Sequence, residues 1–172
     1  MKKIILLGYM GAGKSVVAQL LSQKTALPWV DLDQMIEEKE QATISDIFEK
    51  QGEIKFRKLE HALFQQLMQN DQSFVLSLGG GTPCYANNHE LLKGENVVSV
   101  YLKTSIDQLY HRLLPQKQQR PLIAHMADET MKEFIAISLF ERSYYYLQAT
   151  HTVTTDGKTP AQVVSEIEKI LV

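Results

Sequence analysis

Apolar positions along this chain follow two alternating patterns. Short, mostly apolar runs occur at Ile4 to Leu7, Leu27 to Val30, Phe74 to Leu78, Asn96 to Leu102 and Thr150 to Thr154. Their length, and their Val, Ile and aromatic content, predict buried β-strands. Between them the period changes to that of a helix. From Glu53 to Gln69 the positions Phe56, Leu59, Leu63, Phe64 and Leu67 make one helical face. Similar segments run from about Lys14 to Lys24, from Gln34, from Ile44, from Ser105 to Leu113, from Asp128 to about Gln148 and from Pro160 to Leu171. Gly52 separates two of them, Thr43 with Asp46 has the spacing of a capping box, and Asp33 is a candidate N-cap. Leu114 to His125 reads as a polar, Gln-rich loop with two prolines.

Five strands alternating with helices predict an α/β fold: a three-layer, five-stranded parallel sheet with helices on both faces. No repeat, linker or low-complexity block divides the sequence, so residues 1–172 are expected to form one domain. Ligands of such sheets bind beyond the carboxyl ends of the strands. Three polar or Gly-rich stretches directly follow predicted strands and should converge there: Gly8 to Ser15, Asp31 with Asp33, and Gly79-Gly80-Gly81.

Gly8-Tyr9-Met10-Gly11-Ala12-Gly13-Lys14-Ser15 fits the phosphate-loop pattern G-x-x-x-x-G-K-[ST] in full, between a strand and a helix. Amides from Gly11 through Ala12, Gly13, Lys14 and Ser15 to Val16 would form an anion-binding nest at the positive end of a helix dipole. Lys14 would reach the β- and γ-phosphates, and the Ser15 hydroxyl would ligate Mg²⁺. The pattern predicts binding of a nucleoside triphosphate. Asp31 and Asp33, two apart at a strand end, either face the cleft together or serve as a helix cap beside a solvated carboxylate. The glycine triplet lets something approach its backbone closely.

Composition narrows the setting. The net charge of −2 gives no field for nucleic acid or acidic membranes, and no run approaches a membrane span. The apolar stretch after Lys2-Lys3 is broken by Gly8 and Gly11, so it reads as the first strand rather than a leader. The lone Cys84 excludes an intrachain disulfide and suits a reducing compartment, hence a cytoplasmic protein. The five histidines show no metal spacing. With no long apolar stripe left over, a monomer is expected. Fourteen of the 18 basic residues are Lys; the four arginines are Arg57, Arg112, Arg120 and Arg142. Arg is the side chain for bidentate recognition of phosphate and carboxylate, although each of these also reads as a solvated surface charge.

The ordered set of motifs resembles the shikimate kinase family along the chain. It comprises the phosphate loop, Asp31-Leu32-Asp33, Ile44-x-x-Ile47-Phe48, Gly52-Glu53-x-x-Phe56-Arg57-x-x-Glu60, the triplet, Arg120-Pro121-Leu122 and Glu141-Arg142-x-x-Tyr145. The resemblance implies a P-loop fold like that of nucleoside-monophosphate kinases and ATP-dependent phosphorylation of the 3-hydroxyl of shikimate, within aromatic amino acid synthesis. It places substrate-binding helices at about 32–62 and a lid at about 114–125. It implies that Asp33 binds and orients the hydroxyl, Asp31 supports Mg²⁺, and Arg57 with Arg142 grips the carboxylate. Gly79, Gly80 and Gly81 would contact substrate, Arg120 would close on phosphate, and Arg112 would lie near adenine. Thr82-Pro83-Cys84, where the family usually has apolar or small residues, departs from the pattern, as do the Gln-rich lid and Thr154 to Pro160.

Within the same fold, gluconate or a nucleotide is the rival acceptor. Gluconate leaves the triplet and Gly-Glu-x-x-Phe-Arg unexplained, and a nucleotide calls for more arginines. A regulatory module without catalysis is the alternative from another class. The intact set Lys14, Ser15, Asp33 and Arg120 argues against it.

Overall fold

The computed structural model describes residues 2–172. Its centre is β1 (Lys3–Leu7), whose Ile4, Ile5, Leu6 and Leu7 are wholly buried. The uninterrupted apolar run is what a strand covered on both faces requires. After β1 come α1 (Lys14–Thr25), β2 (Trp29–Asp31), α2 (Leu32–Glu40), α3 (Ile44–Gln51), α4 (Glu53–Gln69), β3 (Phe74–Ser77) and β4 (Val97–Lys103). The chain ends with α5 (Ile106–Leu113), α6 (Asp128–Tyr146), β5 (His151–Thr154) and α7 (Pro160–Leu171).

All five strands are parallel, in the order β2-β3-β1-β4-β5. Between β1 and β2 the chain crosses the sheet one way; from β2 onward it crosses back. With right-handed crossovers, α1 therefore lies on one face and α2 to α6 on the other. The helix α7 packs beside α1, which completes three layers. The predicted architecture is the one found.

Register brings the predicted site to one edge. Leu6 pairs with Ser77, and Ser77 pairs with Asp31, so the loops after β1, β2 and β3 leave the sheet side by side. Trp29 Nε1 donates to Ser77 Oγ at 3.2 Å and ties the edge strand to its neighbour.

Local chemistry fixes the helix starts. Thr43, Ser105 and Thr159 accept from backbone amides at the starts of α3, α5 and α7, and Gln162 completes a capping box with Thr159. Thr43 caps α3 alone, with no return bond from Asp46. Asp31, not Asp33, is the N-cap of α2: its Oδ1 accepts from Gln34 N at 3.0 Å. β2 runs into α2 without a loop, so Asp33 already lies in the first helical turn.

Three segments differ from the expected picture. Leu114–Gln119 is a 3₁₀ helix rather than an open loop, and Ile123 beyond it is fully buried. Thr82–Cys84 and Asn88–Leu92 are further 3₁₀ turns, in a stretch for which no element was predicted. An apolar stripe is left over, against expectation: Ile137, Phe140, Tyr144 and Leu147 lie at helical spacing along α6 and its end, 53–83% exposed. Because α6 buries Met131 and Ile135 on its other side, periodicity alone did not separate its inner face from its outer one.

Candidate active site

The phosphate loop turns back on itself at the end of β1. Gly11 (φ 84°) and Gly13 (φ 92°) take the left-handed conformation there, and Gly13 is the N-cap of α1. Lys14 lies over the loop, its Nζ donating to Gly8 O at 2.6 Å and Tyr9 O at 3.0 Å. Burial lowers its pKa to about 8, although Asp33 and Asp31 pull the other way. At neutral pH it is still mostly an ammonium, and incoming phosphate charge would stabilise that form. Ser15 Oγ donates to Asp31 Oδ2 at 3.4 Å, so Asp31 caps α2 with one oxygen and meets the loop with the other.

A cleft of about 560 Å³ runs across this edge of the sheet. Its walls include Lys14, Ser15, Val16, Asp31, Asp33, Gly79, Gly80, Arg112, Gln116 and Arg120. Asp31 and Asp33 share this cleft because a strand end passes directly into a helix, not through the extended i, i+2 geometry expected of them. The pKa of Asp33 is raised to about 6, first by burial, then by Asp31 and Glu60, with Lys14 opposing. Arg120 is held from Gln116, whose Oε1 accepts from its Nη2 at 3.2 Å.

Next to the cleft, and sharing Gly11, Gly13, Val16 and Arg112 with it, is a pocket of about 310 Å³. Thr155, Lys158, Pro160 and Val163 line its far side. Arg112 Nη1 donates to Gly11 O at 3.3 Å and Ala12 O at 3.4 Å, which sets its guanidinium at the mouth of this pocket. Sequence reasoning left the residues after β5 only loosely matched. The packing of α7 beside α1 places them against the phosphate loop.

The glycine triplet does something the sequence did not disclose. Each glycine backs one of the predicted acceptor-binding side chains. A Cβ on Gly79 would lie 2.8 Å from Asp33 Oδ1, one on Gly80 would lie 3.4 Å from Arg142 Nη1, and one on Gly81 would lie 2.7 Å from Arg57 Nη2. At Gly79 and Gly81 any side chain would have to displace the Asp33 carboxylate or the Arg57 guanidinium. The Gly80 position also lies 3.6 Å from Met10 N, so the triplet abuts the phosphate loop.

Both arginines are supported from behind. Arg57 Nη1 donates to Glu60 Oε1 at 2.8 Å, as the i, i+3 spacing predicts, and Glu60 is 1% exposed. The Arg57 Nε is buried without a hydrogen bond and lies 3.6 Å from Glu53 Oε1, an ion-pair contact. Arg142 lies 5.4 Å from the centre of the Tyr9 ring. Tyr146, one turn beyond, donates its hydroxyl to Gly80 O at 2.5 Å. The tyrosine run is therefore core at Tyr146 and surface at Tyr144. Burial pushes the Cys84 thiol up to about 11, which keeps it inert at neutral pH. No cluster of three or more His, Cys, Asp or Glu with metal-binding geometry exists among the described residues.

Fold and phosphate loop together define a nucleotide-dependent small-molecule kinase of the P-loop class. A family model described as shikimate kinase matches residues 10–172. A shikimate kinase of Flavobacterium johnsoniae is 56% identical over 171 residues, covering 99% of each chain. The crystal structure of shikimate kinase from Bacteroides thetaiotaomicron superposes with a TM-score of 0.90 at 32% identity, covering 99% of this chain and 98% of that one. That from Acinetobacter baumannii in complex with shikimate gives 0.87 at 31% identity, covering 99% and 93%. The chain belongs to the shikimate kinase family.

Proposed function

We propose that the chain transfers the γ-phosphoryl group of ATP to the 3-hydroxyl of shikimate. The products are ADP and shikimate 3-phosphate, an intermediate of the chorismate and aromatic amino acid route. The observation that carries this reading is the glycine triplet. Its three successive residues back one carboxylate and two guanidinium groups against the phosphate loop. A hydroxylated carboxylic acid is the ligand such a set would recognise.

Each group then has a task. The Gly11 to Val16 amides and Lys14 hold the phosphates, with Arg112 beside adenine. Arg57 and Arg142 grip the acceptor carboxylate. The Nε of Arg57 is buried without a hydrogen bond, its only carboxylate neighbour being the exposed Glu53 at 3.6 Å, which supports a contact to an incoming carboxylate. Asp33 accepts from the 3-hydroxyl and takes its proton as the phosphoryl group transfers; a carboxylate with its pKa raised to about 6 is suited to that transfer. Arg120 lies against the charge that develops on the transferred group.

Mg²⁺ fits the Ser15 and Asp31 pair, because Mg²⁺ in kinases is held by one or two protein oxygens together with substrate phosphates. When bound, the ion neutralises phosphate charge. Helices within 32–62 form the acceptor-binding part and 114–125 the lid, which the buried Ile123 anchors. The acting unit is a single cytoplasmic chain with small-molecule partners. No helix among the described residues is long and apolar enough to cross a membrane, and the net charge is −2.

A coupled ADP-release assay with shikimate, quinate, gluconate and AMP as acceptors tests the reading. Turnover is expected to be highest with shikimate. Equal or faster turnover with gluconate or AMP would overturn it.

A further inference from the structure

Arg57 is braced by a segment to which the family resemblance assigns no role. Thr82 is fully buried, and its hydroxyl donates to Glu60 Oε2 at 2.8 Å while Glu60 Oε1 holds Arg57. Three residues on, the Tyr85 ring covers the guanidinium, with Arg57 Cζ 3.9 Å from the ring centre. That is van der Waals contact, closer than the 5.1 Å to Phe56 or 6.0 Å to Phe48. The loop carrying Tyr85 is itself pinned. Asn88, fully buried, donates its backbone N–H to Tyr85 O and its side chain to Thr82 O, both at 2.9 Å, and its Oδ1 accepts from His61 at 2.6 Å. Ala86 and Asn87 between them have φ of 50° and 55°. For alanine this is a disfavoured conformation, which persists only where the surroundings over-determine it.

We propose that Tyr85 is a positioning residue for the acceptor carboxylate. It fixes the plane of Arg57 from one face while Thr82, through Glu60, fixes it from one edge. On the remaining side Nε makes no hydrogen bond and has only Glu53 Oε1 at 3.6 Å, and there the ligand carboxylate would compete for it. Stacking removes rotational freedom that the guanidinium would otherwise lose on binding, and keeps water off one face. The proposal rests on the reading of Arg57 as a carboxylate ligand. It adds that residues 82–88, which begin at the Thr82-Pro83-Cys84 departure from the family pattern, set the strength of that contact.

Steady-state kinetics on Tyr85→Ala, Tyr85→Leu, Tyr85→Phe, Arg57→Ala and Tyr85→Ala/Arg57→Ala test it, with thermal melts to confirm folding. Tyr85→Ala and Tyr85→Leu should raise KM for shikimate about tenfold, with kcat and KM for ATP within about twofold of the parent. Tyr85→Phe keeps the stacking face and should behave as the parent. The double variant should bind shikimate no worse than Arg57→Ala alone. A parental KM in Tyr85→Ala, no rescue by Phe, or an equal further loss without Arg57 would each overturn the proposal. If Arg57→Ala itself leaves KM for shikimate unchanged, the carboxylate reading fails first and the role of Tyr85 with it.

Discussion

On the nucleotide half of the cleft, the backbone does the holding. At the start of α1 the loop turns at Gly11 and Gly13, and Lys14 rests on the loop's own carbonyls. On the acceptor half, side chains do the holding, and the backbone of Gly79 to Gly81 only makes room for them. Asp33, Arg57 and Arg142 come from three different helices. The phosphate half is thus assembled within one turn of chain, and the acceptor half by the tertiary fold. A point change should damage the first by removing a charge and the second by moving a side chain that remains present.

The largest effect expected from this contrast is at Lys14. Lys14→Ala removes a preorganised charge and should cost on the order of 3 kcal/mol or more of transition-state stabilisation, about 10²- to 10³-fold in kcat. Gly8 O and Tyr9 O, left without the ammonium, lie at an open cleft and can take water, so the melting temperature should hold. Kinetics and melts on the same sample check this. Parental turnover would remove Lys14 from the phosphate site, and an unfolded variant would show that its bonds to the loop are structural.

The contrast also accounts for what the sequence disclosed. The phosphate loop was legible because its parts are contiguous and its strand and helix flanks adjoin it directly. The sheet was legible because parallel strands buried on both faces leave plain apolar runs. The triplet's task was not, since Arg57 is 24 residues before Gly81 and Arg142 is 62 residues after Gly80. Only family resemblance had linked Arg57 and Arg142 to one ligand. The 82–92 stretch escaped prediction because its structure comes from polar groups that bury in pairs, Thr82 with Glu60 and Asn88 with His61. Spacing alone points to Asp33 as the cap because it does not show that β2 and α2 meet without a loop, which puts the cap at Asp31.

A middle-sized effect separates the halves from the other direction. Gly81→Ala adds one methyl group 2.7 Å from Arg57 Nη2 and leaves every ligand side chain in the sequence. It should raise KM for shikimate roughly 10- to 100-fold through displacement of the guanidinium, with KM for ATP nearly unchanged. Arg57→Lys should give the same signature, since an ammonium cannot reproduce a bidentate contact. Steady-state kinetics with each substrate varied in turn give the answer. A rise in KM for ATP would mean that the triplet supports the phosphate loop instead of the acceptor.

The smallest effect is one of stability, and its sign is opposite to that expected of most site mutations. Asp33 has its pKa raised to about 6 from 3.8, with burial the largest cause and the nearby Asp31 and Glu60 adding to it. A raised carboxyl pKa means that between about pH 4 and 6 the folded protein holds a proton the unfolded chain has released. The contribution of this group to stability therefore declines as pH rises through that window, and is fully lost above it. At pH 7 the ionised Asp33 should cost on the order of 1–3 kcal/mol, already reduced by the attraction of Lys14. Asp33→Asn keeps the shape and removes the charge, so it should melt a few degrees higher than the parent at pH 7. The gap should close towards pH 4, where the parent carboxyl is protonated as well. Melting curves of both proteins at pH 4, 5, 6 and 7 decide it. Equal melting temperatures at pH 7 would show that Asp33 is not strained in the empty cleft. A gap that persists at pH 4 would put the gain down to asparagine's packing and detach Asp33 from the burial that suits it to take a proton.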